Sequence, residues 1–268
     1  MTTPRQLLAD ARLDAIDARV LLQHALQVGR AWLIGHGDDV LPAERIAAFE
    51  ALVARRRNGE PVAYLVGVRE FYGRDFAVSP AVLIPRPETE LLVELALERA
   101  GQGARVVDLG TGSGCIPVTI KLERPDLDVS AVDISDDALA VARGNAKALG
   151  ANVVLYLSDW YATLAGQTFG VIVSNPPYIV AGDAHLVQGD LRFEPQGALT
   201  DFADGLTHIR SIVEGAGDHL APGGWLLFEH GFDQGPASRA LLAEAGFADV
   251  QTWTDLAGLD RVSGGRLA

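Results

Sequence analysis

Residues 171–180 read VIVSNPPYIV. A run of β-branched residues stops at Asn175, and Pro176, Pro177 and Tyr178 follow. The pattern predicts a buried strand with a rigid exit, because each proline locks φ at about −65° and removes an N–H donor. Backbone carbonyls are then displayed rather than bonded inward. The Asn175 side-chain oxygen and one prolyl carbonyl can accept both hydrogens of a planar –NH₂, and Tyr178 can lie against the flat group. An amide or aromatic amine is a poor nucleophile because its lone pair is delocalised. Hydrogen bonds to its protons enrich the nitrogen, and a fixed orientation aims it at an electrophilic carbon. Such a transfer needs no His or Cys nucleophile. This corner specifies a planar amine without saying which: adenine, a cytosine-like amine and a glutamine amide all qualify.

A second group lies upstream, where DLGTGSG occupies residues 108–114. Gly110, Gly112 and Gly114 alternate with Thr111 and Ser113, so the backbone can turn sharply and approach a ligand without Cβ clashes. The spacing is G-x-G-x-G rather than the dinucleotide G-x-G-x-x-G, and no Lys-Ser/Thr pair follows to make a phosphate loop. Asp133, 25 residues after Asp108, can accept hydrogen bonds from both hydroxyls of a ribose. Asp159 and Trp160 can hold an adenine, one by bonding its amino group and one by face contact. An adenosine-type ligand without a basic phosphate clamp argues against ATP. S-adenosylmethionine fits, since an acidic rim suits its cationic sulfur and ammonium.

These residues need elements to bring them together. Residues 1–70 read as helical. TPRQLLADARL is one helix, and Asp14 can cap a second, AIDARVLLQHAL, with Ile16, Val20, Leu21 and Ala25 on one stripe. LPAERIAAFEALVARRRNG is a third, with Pro42 in its first turn and Gly59 just past its end, and EPVAYLVG adds a short helical turn. Residues 71–84 look like a small hairpin or extended linker. PRPETELLVELALERA is a helix with Leu91, Leu92, Leu95 and Ala96 on its core side.

From there to residue 268 strands and helices alternate, which implies an α/β fold with a mostly parallel sheet covered on both faces. Predicted strands are ARVVDLG, LDVSAVD, NVVLYLSD, FGVIVSNPPY and GGWLLFEHG, then ADVQTWTD and DRVSGGRLA as an antiparallel closing pair. Predicted helices include CIPVTIKLERP, SDDALAVARGNAKALG with Ser135 as cap, DGLTHIRSIVEGAGDHLAPG ending before Pro222, and QGPASRALLAEAGF. Ligands of such sheets sit outside the carboxyl ends of the strands. The first four strands end near Asp108, Asp133, Asp159–Trp160 and Asn175, so four successive strands deliver polar side chains to one rim. A purely structural sheet does not require that.

Composition narrows the partners. The formal charge is −13, from 22 Lys/Arg against 35 Asp/Glu. Residues 1–84 are balanced at ten and ten, so residues 85–268 carry the whole excess, twelve against twenty-five. A duplex nucleic acid footprint needs phosphate-neutralising cations that this part does not offer. Arg55–Arg57 form the one basic cluster, read as cations at a helix C-terminus. A single cysteine excludes an internal disulfide and a Cys-based zinc site. No apolar run approaches the length of a membrane span, and no signal-peptide block opens the chain, so a cytoplasmic protein is expected.

Several longer stretches sharpen the reading. PVAYLVGVREFYGRDFAVSPAVLIPRPETE (61–90), DLGTGSGCI (108–116), SDW (158–160), VSNPPYI (173–179), GDLRFEPQGAL (189–199) and DLAGLDRVSGGR (255–266) together resemble the bacterial release factor glutamine methyltransferase family. General adenine methyltransferases share only the glycine loop and the Asn-Pro-Pro-Tyr corner. The resemblance implies a seven-stranded, Rossmann-like methyltransferase sheet over 85–268, joined through 71–84 to a small N-terminal helical domain, 1–70, that helps grip the substrate. It implies methylation of the glutamine side-chain amide in the GGQ motif of class-one peptide chain release factors, with S-adenosyl-L-homocysteine as the other product. Gly110 to Gly114, Asp133, Asp159, Trp160 and Asn175 then contact the cofactor, and Asn175, Pro176, Pro177 and Tyr178 hold the glutamine. Arg86, Pro87 and Thr89 fall in a family stretch near the active site without an assigned role. A nucleic-acid adenine amino-methyltransferase is the alternative, and the acidic charge opposes it.

Other reactive side chains are expected to be structural. Cys115 reads as a small buried residue, His230 as a core or loop hydrogen-bonding group, and Glu194 as an organiser of the loop over the site. His185 and Asp183 lack a third metal ligand, and no metal is expected.

Overall fold

The computed structural model describes residues 2–268. The chain divides into two compact units, one ending at Val68 and one spanning Arg69–Ala268.

The first unit is helical. Thr3 and Gln6 form a reciprocal capping box for the helix Pro4–Asp10, and the Asp14 carboxylate accepts from Ile16 N to cap Ala15–Leu26. The buried stripe of that second helix is Ala18, Leu21, Leu22, Ala25 and Leu26. Ile16, expected on the core face, is largely exposed. The stripe is turned because the small Ala18, rather than the bulkier Ile16, faces the neighbouring helix core. Helix Arg30–Gly35 was not expected; it buries none of its residues and so leaves no apolar period to read. Helix Ala43–Arg57 uses Pro42 as its N-cap rather than its first residue, and Val62–Val66 closes the unit. Leu21, Leu22, Phe49 and Val53 anchor a separate core.

A hairpin begins at the boundary residue, with β1 (Val68–Phe71) and β2 (Arg74–Ala77). Tyr72 and Gly73 form its turn with φ of +52° and +73°, the two left-handed residues that match strand twist. The hairpin starts inside the stretch expected to be helical, because Val68–Phe71 pairs with a strand that follows it directly.

Seven strands form the main sheet: β3 (Arg105–Leu109), β4 (Asp128–Asp133), β5 (Val154–Leu157), β6 (Phe169–Ser174), β7 (Leu220–Glu229), β8 (Ala248–Thr254) and β9 (Asp260–Arg266). Their order is β5-β4-β3-β6-β7-β9-β8. The first five are parallel, and β9 runs antiparallel between β7 and β8. Pro222 lies within β7, not beyond a helix. Pairing with β6 passes from Phe169–Leu220 to Val171–Trp225, and Pro222 falls in the resulting bulge, where no ladder donor is needed.

Apolar layers cover both faces. Leu92, Val106, Ile116, Val129 and Val171 belong to one; Val107, Leu109, Ile172, Ile209 and Phe228 belong to the other. Each fully buried leucine or isoleucine contributes roughly 2 kcal/mol relative to exposure. Since β3 to β7 are parallel, their carboxyl ends, from Leu109 to Glu229, share one rim.

Candidate active site

Along that rim lies a cavity of about 310 Å³, within the range of small-molecule sites. It is lined by Gly110, Thr111, Gly112 and Ser113 of the glycine loop, by Asp133, Asp159 and Trp160, and by Asn175 and Pro177. Four separate strand exits, those of β3, β4, β5 and β6, therefore meet on one space.

The loop is shaped by backbone as much as by side chains. Gly110, Gly112 and Gly114 have φ of +76°, +54° and +79°. Gly114 does not line the cavity. A Cβ there would stand 3.0 Å from the Cβ of Ala142, so this glycine lets helix Asp136–Leu149 pack against the loop. Asn145 of that helix donates to Ser113 O at 2.8 Å and makes a two-bond clasp with Ala77, at 2.8 and 3.0 Å. Asp133 Oδ2 accepts from Gly112 N at 2.8 Å and Oδ1 from Ser135 N at 2.9 Å. Each oxygen keeps one lone-pair direction, which leaves two acceptors side by side. Burial raises the Asp133 pKa, and the backbone donors oppose that rise.

The Asn-Pro-Pro-Tyr corner leaves β6 directly. Ser174 Oγ donates to Leu109 O at 2.7 Å and pins the strand end to β3. Among the described residues, the carbonyls of Pro176 and Pro177 accept no hydrogen bond. Pro176 is buried and lies off the cavity wall. Tyr178 does not line the cavity either. Its ring packs in the core beneath, its carbonyl accepts from Gln234 Nε2 at 3.0 Å, and its hydroxyl donates to Glu229 Oε1 at 3.1 Å. Burial raises its pKa strongly, with the Glu229 charge adding to the effect.

Other residues at the site had no assigned part in the sequence reading. Thr89 lines the cavity; its hydroxyl donates to Glu229 Oε2 at 2.7 Å and receives Asn175 Nδ2 at 3.2 Å. Glu229 ends β7 and is 1% exposed. Burial raises its pKa, while the Thr89 hydroxyl, the Arg261 charge and the Tyr178 hydroxyl oppose the rise and Glu88 adds to it. Ile134, 71% exposed beside Asp133, and His208, whose ring centroid is 5.3 Å from that of Trp160, also line the cavity. An isoleucine directly after a strand-end aspartate was the local signal available for Ile134, and Thr89 fell in the stretch that carries the family resemblance. Glu194 accepts from Ile84 N at 2.9 Å and pairs with Arg86, which ties its loop to residues 84–86 beside the cavity. Cys115 is buried and burial pushes its thiol up to about 12; His230 is buried between Ser263 and Gly231 O. Asp183 Oδ1 bonds His185 locally.

Comparison with known proteins decides the family. A release factor glutamine methyltransferase of Neisseria gonorrhoeae is 56% identical over 258 residues, covering 96% of this chain and 94% of that protein. One from Bordetella pertussis is 53% identical over 270 residues and covers 100% of both. One from Escherichia coli is 47% identical over 252 residues, covering 93% and 91%. The chain belongs to the release factor glutamine methyltransferase family. Residues 3–67 match the family model described as PrmC N-terminal domain, and 87–191 match Methyltransferase small domain. Among solved structures, a methyltransferase from Pyrococcus furiosus shares the fold at TM-score 0.56 and 19% identity, covering 80% of this chain and 96% of that one. The T. thermophilus 16S rRNA N2 G1207 methyltransferase, solved with AdoMet and guanosine, does so at TM-score 0.55 and 23% identity, covering 75% and 50%.

Membership of the release factor glutamine methyltransferase family makes the chain an S-adenosylmethionine-dependent methyltransferase with a seven-stranded sheet. The cavity fits that cofactor on its own chemistry: Gly110 to Ser113 allow close backbone approach, and Asp133 lines it with a carboxylate whose two oxygens each carry one backbone donor. Asp108, fully buried beneath the glycine loop, has no hydrogen-bond partner on either carboxylate oxygen, and Thr111 Oγ1 has none. Burial pushes the Asp108 carboxyl up to about 7; the Thr111 hydroxyl, close but out of bonding geometry, offsets part of this, and the Asp133 charge adds to it. Asp108 does not itself line the cavity, but an uncompensated buried acid behind the glycine loop favours a cation on the other side of it.

The same acid sets a stability prediction. Its pKa is higher folded than unfolded, so the folded state holds the extra proton between about pH 4 and 7. The ligand-free protein therefore loses stability as pH rises through that window, and the loss is complete above it. Asp108→Asn is expected to raise the ligand-free melting temperature at pH 8, to flatten this slope, and to weaken S-adenosylmethionine binding. Thermal melts from pH 5 to pH 8 with and without cofactor check it; an unchanged slope in the variant refutes it.

Proposed function

We propose that this enzyme methylates the side-chain amide nitrogen of the glutamine in the GGQ motif of class-one peptide chain release factors. The observation that carries the reading is the corner after β6: one prolyl pair with carbonyls free of internal bonds, beside an Asn175 amide whose nitrogen is already engaged by Thr89. Asn175 Oδ1 and a prolyl carbonyl are thus the acceptors presented at the cavity end. Two acceptors on a rigid frame match the two hydrogens of a primary amide.

S-adenosylmethionine supplies an activated methyl group and leaves as S-adenosyl-L-homocysteine. Gly110 to Ser113 give the close backbone approach, and Asp133 offers its two remaining lone pairs to the ribose hydroxyls. Ile134, Asp159 and Trp160 frame the adenine, with His208 beside Trp160. Gly114 serves by packing, and Pro176 by fixing the corner from behind. Asn175 and Pro177 orient the amide, draw electron density toward its nitrogen and hold it in line. Tyr178 supports the corner through its carbonyl and hydroxyl.

The helical unit, residues 1–70 in the sequence reading, serves substrate recognition, and 71–84 link it to the catalytic part. The acidic catalytic part disfavours duplex nucleic acid as a partner, which leaves the adenine-methylating alternative without support. No helix among the described residues is long and apolar enough to cross a membrane. A translation-related protein substrate places the enzyme in the cytoplasm.

The test is transfer of label from S-adenosylmethionine to a release factor carrying GGQ and to one carrying GGA. Label confined to the GGQ form is expected. Equal labelling of both, or none of either, overturns the assignment.

A further inference from the structure

We propose that Glu229 is a positioning residue that, acting through the Thr89 hydroxyl, determines which edge of the Asn175 amide faces the substrate. The inference rests on the reading of Asn175 as the acceptor for the glutamine –NH₂.

Counting protons fixes the orientation, with Glu229 in the ionised form that the Thr89 and Tyr178 hydroxyls and the Arg261 charge favour. A carboxylate accepts and cannot donate, and a threonine hydroxyl has one proton. Thr89 Oγ1 lies 2.7 Å from Glu229 Oε2 and 3.2 Å from Asn175 Nδ2. The Thr89 proton goes to Glu229, so its oxygen can only accept. The edge of Asn175 that meets it must be the donor edge, Nδ2, and Oδ1 is left for the cavity side. An amide's two edges have nearly the same shape, so partners alone decide between them. The other oxygen of Glu229 takes the Tyr178 hydroxyl at 3.1 Å. One buried carboxylate, from the end of β7, thereby sets the polarity of the corner at the end of β6. Both its oxygens are engaged from within the protein, so it is not turned toward the reacting nitrogen as a base.

Removing the carboxylate should do more than loosen the corner. In Glu229→Leu the Thr89 proton loses its acceptor, and a turned Asn175 amide can supply one through Oδ1. The amide then turns over and presents Nδ2 to the substrate's own N–H donors. In Thr89→Val neither edge is selected, so the productive orientation survives part of the time. The double variant should therefore be faster than Glu229→Leu alone, an order that a merely structural acid does not produce.

The test uses the intact enzyme, labelled S-adenosylmethionine and a full-length GGQ release factor, with cofactor affinity measured by calorimetry. Expected results are a fall in kcat of about tenfold for Thr89→Val and about a hundredfold for Glu229→Leu. KM for the release factor and Kd for the cofactor stay within about threefold, because the ribose and glycine-loop contacts lie elsewhere. Thr89→Ser should recover most of the rate lost in Thr89→Val. Parental kcat in Thr89→Val, or a double variant slower than either single one, overturns the proposal. If Glu229→Leu fails to fold, the Thr89 pair decides alone: a Val loss that Ser restores supports it, and equal rates for both refute it. Failure of the parental enzyme to label GGQ would overturn the underlying assignment instead, so the two failures are distinct.

Discussion

Asn175→Ala is expected to lower kcat by about 10²–10³-fold, the usual cost of losing one preorganised electrostatic group at a reacting centre. The loss should appear in turnover and not in cofactor affinity. Asn175 comes to the cavity from the β6 exit, while Gly112, Asp133 and Trp160 come from the exits of β3, β4 and β5. Asn175→Asp is expected to fare little better, although it keeps an acceptor. Its carboxylate would meet the lone pairs of Thr89, whose proton is already given to Glu229, and would lie near a second buried acid. Steady-state rates with a release factor, paired with calorimetric binding of S-adenosylmethionine, check both variants. Joint loss of turnover and binding in Asn175→Ala would mean that the corner holds the cofactor or the fold, not the amide.

Asp133→Ala should give the opposite pattern. Two charge-assisted hydrogen bonds to ribose hydroxyls are worth on the order of 3–5 kcal/mol together, which raises the cofactor Kd by about 10²–10⁴-fold. The variant also leaves Gly112 N and Ser135 N without their acceptor, so the glycine loop loses its tie to the end of β4. At saturating cofactor, kcat should remain within about tenfold of the parent, because Asn175 and its supports are untouched. A Kd unchanged within threefold would show that the ribose sits elsewhere.

What was legible in the sequence is what is local. The glycine loop, the strand-end Asp133 and the Asn-Pro-Pro-Tyr corner each occupy a few consecutive residues, and their chemistry follows from residue type and spacing. The alternation of strands and helices also declared itself, through β-branched runs and caps such as Ser135, which accepts from Ala138 N at 3.1 Å. The Thr89–Glu229–Asn175 relay could not be read that way. Its members come from a short helix, a β7 end and a β6 exit, and only the parallel sheet brings those ends to one rim. The function of Gly114 was hidden for a related reason. In sequence it is the third glycine of a ligand loop; in space its missing Cβ makes room for Ala142. Helix Arg30–Gly35 escaped because it is one short turn-and-a-half with no fully buried residue, and Ile16 misled because an alanine two positions later takes the buried place.

The position of β9 carries a kinetic consequence. Residues 260–266 fill an interior slot, so β7 and β8 cannot be bridged until that later segment arrives. Before then, Trp225 to Glu229 form an unsatisfied edge rich in large apolar side chains. A nascent or refolding chain is exposed to wrong edge-to-edge pairing during this interval. Recovery from denaturant should accordingly be better in dilute solution, where insertion of the late strand competes only with slow encounters between molecules.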